Sequence, residues 1–140
     1  MLAPSLRPME GCIFCSIAAR KSPAHIIWED DVAMAFLDIS PLSRGHVLVV
    51  PKRHVDRLTD LPRENFSAML GAVAETCRRI ERLSDNYNVG VNQGAIAGQV
   101  VFHLHFHVIP RYPNEPGFPR KRDPLDPEDA RKLMEVLSRP

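Results

Sequence analysis

Hydrophobic and polar residues alternate with a period of two in several short stretches of this chain, and this period is typical of β-strands. The first half predicts a hairpin of two strands, followed by an almost wholly apolar strand that is expected at the centre of a sheet. Two more strands are predicted in the second half. The five predicted strands are His25–Glu29, Val32–Asp38, His46–Pro51, Tyr87–Asn92 and His103–Ile109.

Three other segments have the spacing of amphipathic helices. The longest is predicted to begin with Asp60 as its cap and carries apolar residues at helical spacing as far as Leu83. On its charged face, Arg79 is expected in solvent. Short helices are predicted over Cys12–Ala19 and from Asp126, where acids occupy the first turn. The sequence therefore predicts an α+β fold, with one long helix across an antiparallel sheet and short helices near both ends.

The last predicted strand carries three histidines at alternate positions. Its sequence is His103-Leu104-His105-Phe106-His107-Val108-Ile109. On a strand, the intervening apolar residues face the core and the three imidazoles share the opposite face. Same-face neighbours are roughly 6.6 Å apart and the outer two roughly 13 Å apart, whereas the ligand nitrogens of one zinc ion lie within about 3.5 Å of each other. The three histidines therefore suit an extended polar ligand, such as a phosphate chain, better than a single metal ion.

Cys12 and Cys15 lie three residues apart on the first predicted helix, so both thiols could reach one ion. A C-x-x-C pair supplies half of a zinc site and needs two ligands from elsewhere. Three interpretations stay open here: a structural zinc site, a redox pair, and two small buried hydrophobic residues. The redox interpretation is weak because no βαβ unit surrounds the pair.

A chain of 140 residues with a formal net charge of +1 is expected to form one domain. The charge favours neither a nucleic-acid surface nor a membrane surface, and no apolar run is long enough for a membrane span. Three cysteines do not resemble a secreted disulfide framework, and the start does not resemble a signal peptide. We expect a cytoplasmic protein with a loose tail over residues 1–10. The rest, 11–140, is expected to be one domain that ends in a proline-rich loop and the last helix, 113–140.

The triad sequence resembles the motif of the histidine triad (HIT) family of nucleotide hydrolases and transferases. The resemblance extends over about residues 11–112, because four further blocks follow the family's order. These blocks are Cys12–Cys15, Phe36–Ile39, Gly45–Lys52, and Asn92 with Gly98-Gln99. The chain is most similar in pattern to the small Hint-like and bacterial HIT proteins. The resemblance implies a HIT-like fold with a sheet of about five strands, and a homodimer.

The resemblance also implies a reaction. His105 would be the nucleophile on the α-phosphorus of a purine nucleotide, His107 would assist the leaving group, and His103 and His46 would orient the nucleophile. Water would then release AMP from a nucleotidyl-histidine, with no catalytic metal required. The implied substrates are nucleoside 5′-phosphoramidates or acyl-adenylates. Two alternatives stay open: a dinucleoside polyphosphate hydrolase or nucleotidyltransferase, and a nucleotide-binding regulatory protein that is not an enzyme.

A nucleotide pocket follows from the same resemblance. Asp38 is expected to accept hydrogen bonds from the ribose hydroxyls, and the glycine-bearing loop to bring backbone amides to the phosphate. The expected nucleotide-binding residues are Phe14, Ile17, Phe36, Asp38, Ile39, Asn92, Gly98, Gln99 and Val100.

One position departs from the family's pattern. Val100 stands where many family members have Ser or Thr, which removes one hydroxyl contact to the phosphate or leaving group. The basic run 120–122 is expected either to be solvated or to lie near the ligand's outer phosphates. In zinc-bearing family members the ligands that complete the C-x-x-C pair match two histidines of this chain. The implied structural zinc site is Cys12, Cys15, His54 and His103.

Overall fold

The computed structural model describes residues 9–115, 117, 118 and 122–140. Most of the predicted tail and the first two residues of the basic run lie outside these residues. The strands of the described part are β1 (Ile26–Glu29), β2 (Ala33–Leu37), β3 (Val47–Pro51), β4 (Tyr87–Val91) and β5 (Phe106–Pro110). The α-helices are α1 (Ile13–Ala18), α2 (Phe66–Ile80) and α3 (Pro127–Leu137). No helix among the described residues is both long and apolar enough to span a membrane.

The five strands form one antiparallel sheet in the order β1-β2-β3-β5-β4. β3 is the central strand, and every residue of β2 and β3 is buried on one face or the other. Ala35 and Val49 belong to the larger core, which α2 covers. Phe36 and Leu48 belong to a smaller core on the other face, which includes residues of α1. The predicted α+β fold with five antiparallel strands is confirmed.

The long helix begins later than predicted. Asp60 does not cap it but ends a short 3-10 helix, and Leu61 is extended, with φ −71° and ψ 127°. A residue that directly precedes a proline disfavours helical backbone angles, because the proline ring crowds its backbone. Pro62 therefore keeps Leu61 out of the helix. A second 3-10 turn, Arg63–Asn65, then leads into α2. The predicted cap was wrong because it overlooked this effect of the proline.

The faces of α2 also differ from the predicted pattern, at Arg79 and Leu70 among other positions. Arg79 was expected in solvent but is only 8% exposed. Its guanidinium donates hydrogen bonds to the carbonyl oxygens of Ile27 and Leu137 and pairs with Glu75. Arg79 therefore joins α2 to β1 and to the end of α3. Leu70, which the helical spacing places on the apolar face, is 71% exposed.

The strand with the histidines is shorter than predicted. β5 begins at Phe106, so His103, Leu104 and His105 precede it. The backbone N–H of Leu104 donates to the carbonyl oxygen of Val55 at 2.7 Å, so this segment bonds to the loop after β3. The predicted alternation nevertheless holds, because Leu104 lies fully buried in the larger core while His105 lies on the opposite side of the sheet.

Candidate active site and metal centre

A cavity of about 450 Å³ lies between α1, the ends of β2 and β5, and the loop before the histidines. Its polar groups include Asp38, His105, His107 and Arg122, and most of its other walls are apolar. The remaining described lining residues are Ile13, Phe14, Ile17, Pro23, Ala24, Phe36, Leu37, Ile39, Ser40, Leu48, Asn92, Gly98, Val100 and Val101. An apolar cavity with a few convergent polar groups is typical of a small-molecule site.

The structure brings the predicted nucleotide-binding residues together in this cavity, with one exception. Gln99 is buried and does not line the cavity. Its Oε1 accepts from the backbone N–H of Gly94, and its Nε2 donates to the carbonyl oxygens of Asp56 and Val101. Gln99 therefore fixes the shape of the loop that presents Gly98, and its own amide is not available to a ligand in this arrangement.

His105 is buried and lines the cavity. Its Nδ1 lies 2.8 Å from the carbonyl oxygen of His103. A carbonyl oxygen can only accept, so Nδ1 carries the proton and the Nε2 of the neutral ring carries a free lone pair. The rings of Phe14 and His107 contact the imidazole edge-on, with centroid distances of 5.2 and 5.0 Å. This packing holds the imidazole in a fixed orientation.

His46 and His107 lie next to each other and are neutral at pH 7. Burial lowers the pKa of His46 to about 3, and the nearby imidazoles of His107 and His105 and the charge of Arg122 act in the same direction. Burial likewise lowers the pKa of His107 to about 4, with further contributions from His105 and Arg122. Each ring therefore carries one proton, and its hydrogen bonds decide which nitrogen holds it.

A chain of hydrogen bonds fixes these two protons. The backbone N–H of Leu42 donates to Nδ1 of His46 at 3.0 Å, so the proton of His46 is on Nε2. That Nε2 lies 3.0 Å from Nδ1 of His107, which must accept. The proton of His107 is then on its Nε2, a buried atom that has no hydrogen-bond partner among the described residues. His107 thus offers a donor in the wall of the cavity beside His105.

Asp38 lies at the end of β2 in the wall of the same cavity. One carboxylate oxygen accepts from the backbone N–H of Ser40 at 2.8 Å. The other lies 3.5 Å from Nη1 of Arg122 and 3.6 Å from Nε2 of His46. Burial raises the pKa of Asp38, while the Ser40 N–H and the charge of Arg122 oppose this shift.

Four further side chains, none of which lines this cavity, form a candidate metal centre. Sγ of Cys12 lies 3.4 Å from Nδ1 of His103, and Sγ of Cys15 lies 3.3 Å from Nδ1 of His54. The four donor atoms all lie within 4.8 Å of one another. Zinc bonds of 2.0–2.3 Å in a tetrahedron separate the donors by about 3.5 Å. The predicted ligand set is therefore assembled with a geometry that fits zinc.

The two histidines of this centre are oriented by second hydrogen bonds. Nε2 of His103 donates to the carbonyl oxygen of Pro51 at 2.7 Å, and Nε2 of His54 lies 3.0 Å from the carboxylate of Asp56. Both rings therefore present an unprotonated Nδ1 to the cysteines, as a metal-binding histidine must. His103 is fully buried and does not line the cavity. Its hydrogen bond to His105 is made by its carbonyl oxygen and not by its ring.

Comparison with known proteins shows the family to which the chain belongs. The sequence model of the HIT domain matches residues 19–114. The chain belongs to the HIT family. Among its relatives, an adenosine 5′-monophosphoramidase of Schizosaccharomyces pombe is 40% identical over 132 residues, which cover 91% of this chain and 96% of the relative.

Solved HIT structures confirm the fold. A hypothetical histidine triad nucleotide-binding protein of Sulfolobus tokodaii superimposes with a TM-score of 0.83 at 29% sequence identity. The match covers 91% of this chain and 89% of the Sulfolobus tokodaii chain. A zinc-bound histidine triad family protein of Mycobacterium smegmatis has a TM-score of 0.74 at 41% identity, covering 91% and 94%.

Several cavity residues were missed by sequence reasoning. Leu48 could have been found, because the period of two along β3 places it on the same face as Val50, opposite the long helix. Ser40 and Val101 adjoin predicted residues in loops, where no period indicates which side chain faces the cavity. Arg122 was included only within a basic run, and its position depends on how the chain returns from β5 to α3.

Proposed function

We propose that this HIT protein is a nucleotide hydrolase that cleaves the bond between the α-phosphorus and the leaving group of purine nucleoside 5′-phosphoramidates or acyl-adenylates. The reaction passes through a nucleotidyl-histidine at His105 and releases AMP. The observation that carries the proposal is the hydrogen bond from Nδ1 of His105 to the His103 carbonyl, because it leaves Nε2 free to attack. The relative from Schizosaccharomyces pombe, named as a monophosphoramidase, supports the choice of substrate.

In the first step, Nε2 of His105 forms a bond to phosphorus and the bond to the leaving nitrogen breaks. The electron pair of the broken bond stays on that nitrogen, which takes up a proton from solvent and departs as an amine. His107 donates a hydrogen bond from Nε2 to the leaving atom and stabilises the charge that develops there. His46 acts through His107, since it holds the proton of that ring on Nε2.

In the second step, water attacks phosphorus and the bond to Nε2 of His105 breaks. The electron pair returns to the imidazole, AMP forms, and the proton that water releases balances the one taken up in the first step. The carbonyl oxygen of His103 bonds to Nδ1–H of His105 and stabilises the positive charge on the ring while phosphorus is attached.

The binding roles follow from the walls of the cavity. Phe14, Phe36 and Leu48 form an apolar surface that suits a purine base. Asp38 accepts hydrogen bonds from the ribose diol, since a carboxylate has enough lone pairs for two hydroxyls. The backbone at Gly98, which has a positive φ of 97°, lies in the wall and can approach the phosphate closely.

A structural zinc and a homodimer belong to the same proposal. Cys12, Cys15, His54 and His103 fit zinc, and the relative of known structure from Mycobacterium smegmatis is described as zinc-bound. The zinc would join α1 to the segment that carries the nucleophile, without taking part in the chemistry. The homodimer and the cytoplasmic location stay predictions from the sequence. The mass of the protein in solution tests the homodimer.

Release of AMP from adenosine 5′-phosphoramidate tests the proposal. The wild type is expected to turn over, with or without chelator in the assay, whereas His105→Ala loses at least about 10³-fold in kcat/KM. His25→Ala is the matched control, because His25 is exposed and does not line the cavity. If the wild type binds AMP but does not turn over the phosphoramidate, the protein is a nucleotide-binding regulator instead. Turnover that persists in His105→Ala would contradict the proposed nucleophile.

A further inference from the structure

Arg122 has a position in the cavity that neither the triad nor the metal centre explains. Its Nη1 donates to the carbonyl oxygen of Ser40 at 3.2 Å and lies 3.5 Å from Oδ2 of Asp38. Its side chain is partly exposed, at 39%, and lines the cavity together with His105 and His107. Arg122 comes from the segment before α3 and therefore reaches the site from outside the sheet.

The charge balance of the cavity indicates what Arg122 does. Among the described lining residues it is the one Lys or Arg, and His107 is neutral at pH 7 because burial lowers its pKa. Asp38 already contributes a carboxylate. A nucleotide adds at least one negative charge on its phosphoryl group, and an uncompensated charge in an apolar cavity is strongly unfavourable. The described site therefore needs a cation, and Arg122 can supply it.

We propose that Arg122 binds the charged phosphoryl group of the nucleotide and exchanges its contact with Asp38 for that group when the ribose diol occupies Asp38. The inference rests on the proposed function, because it assumes that a nucleotide fills the cavity. In the empty site, Asp38 and Arg122 satisfy each other. In the filled site, the hydroxyls bond to Asp38, and the guanidinium, which is suited to phosphate oxygens, turns to the phosphoryl group.

Two observations support the reach of Arg122. Its positive charge lowers the pKa of both His46 and His107, so its field extends to the residues beside the nucleophile. Its side chain is also long and rotatable, and an exchange of partners therefore requires no movement of the sheet. Arg122 is therefore a binding residue that selects ligands with a phosphoryl group over uncharged nucleosides.

Binding of AMP and of adenosine tests this inference, because the two ligands differ only in the phosphoryl group. The affinities of the wild type and of Arg122→Gln are measured by calorimetric titration. We expect the variant to bind AMP about 10- to 100-fold more weakly, as for the loss of a charged hydrogen bond. Adenosine is expected to bind within about threefold of wild type or more tightly, since Asp38 no longer has a competing partner. Arg122→Lys keeps the charge and is expected to recover part of the AMP affinity.

Arg131→Gln is the matched control, because Arg131 is exposed on α3, pairs with Glu128 and Glu135, and does not line the cavity. It is expected to bind both ligands as the wild type does. Equal weakening of AMP and adenosine by Arg122→Gln, or unchanged AMP binding, would overturn the role of Arg122 while leaving the proposed hydrolase intact. A wild type that binds neither ligand and releases no AMP would refute the hydrolase, and the role of Arg122 with it.

Discussion

The two histidines that line the cavity differ in which ring nitrogen is free. In His105 a backbone carbonyl holds the proton on Nδ1, and in His107 the neighbouring His46 holds it on Nε2. The alternating pattern of the sequence predicts that these rings lie on one face. It cannot predict their tautomers, because the deciding partners are the backbone carbonyl of His103 and the backbone N–H of Leu42, which only the folded chain places.

The proposed donor role of His107 predicts that the effect of its substitution depends on the leaving group. His107→Gln is expected to lower kcat for adenosine 5′-phosphoramidate by about 10²-fold or more, as for loss of a hydrogen-bond donor that stabilises developing charge. The loss should be much smaller for an AMP ester of p-nitrophenol, whose anion is stable and needs no donor. Steady-state kinetics with both substrates measure the difference, and equal losses would show that His107 does not act on the leaving group.

The buried neutral histidines predict how stability depends on pH. His46 and His107 have folded-state pKa values of about 3 and about 4, against about 6.5 in an unfolded chain. Between pH 6.5 and 4 the unfolded chain binds protons that the folded chain does not, so the free energy of unfolding falls as the pH is lowered through this window. Urea unfolding from pH 7 to 4 should show this fall.

The double variant His46→Gln, His107→Gln serves as the comparison for that experiment. The slope of stability against pH should be smaller in the double variant than in the wild type, whatever its stability at pH 7. Parallel slopes in the two proteins would mean that these histidines are not kept neutral by the fold.

At the scale of elements, the metal centre joins parts of the chain that are distant in sequence. Cys12 and Cys15 lie at the start of α1, His54 follows β3, and His103 precedes β5. The spacing C-x-x-C predicts two ligands on one helix, but no local pattern predicts which histidines complete the site. The resemblance to the family supplied both, and the structure brings them within bonding range of one ion.

We predict that the purified protein contains about one zinc per chain. Removal of the metal by a chelator, or the substitution Cys12→Ser, should lower the melting temperature by about 5 °C or more, since a bound ligand stabilises the folded state. The rate of AMP release per folded molecule should change little. Cys77→Ser is the matched control, because Cys77 lies on α2, outside the cluster. A chelator-treated protein with an unchanged melting temperature would refute the structural zinc.

At the scale of the whole molecule, the hydrophobic pattern predicted the kinds of element and their order along the chain. It did not predict the order of the strands in the sheet, because pairing depends on contacts far apart in sequence. The position of β5 between β3 and β4 determines which residues meet at the site. It brings His107 beside His46, which precedes β3, and a difference in pairing would have separated them.

The first residues of α2 and β5, and the burial of Arg79, were not predicted from the hydrophobic pattern. Pro62 delays the long helix, and the hydrogen bond from Leu104 to Val55 keeps the first two histidines outside β5. The burial of Arg79 was missed because its partners are carbonyl oxygens of β1 and α3. In each case the deciding feature is a proline or a hydrogen bond to a backbone group, and a pattern of hydrophobic and polar side chains contains neither.

Capture of the covalent intermediate would show whether His105 is the nucleophile. The wild type is mixed with adenosine 5′-phosphoramidate, quenched within the first turnover under conditions that preserve phosphohistidine, digested, and analysed by mass spectrometry. We predict an AMP group on the imidazole of His105, the same adduct in His25→Ala, and none in His105→Ala. Rapid turnover without any adduct, or an adduct on another residue, would contradict the account of His105 as the nucleophile.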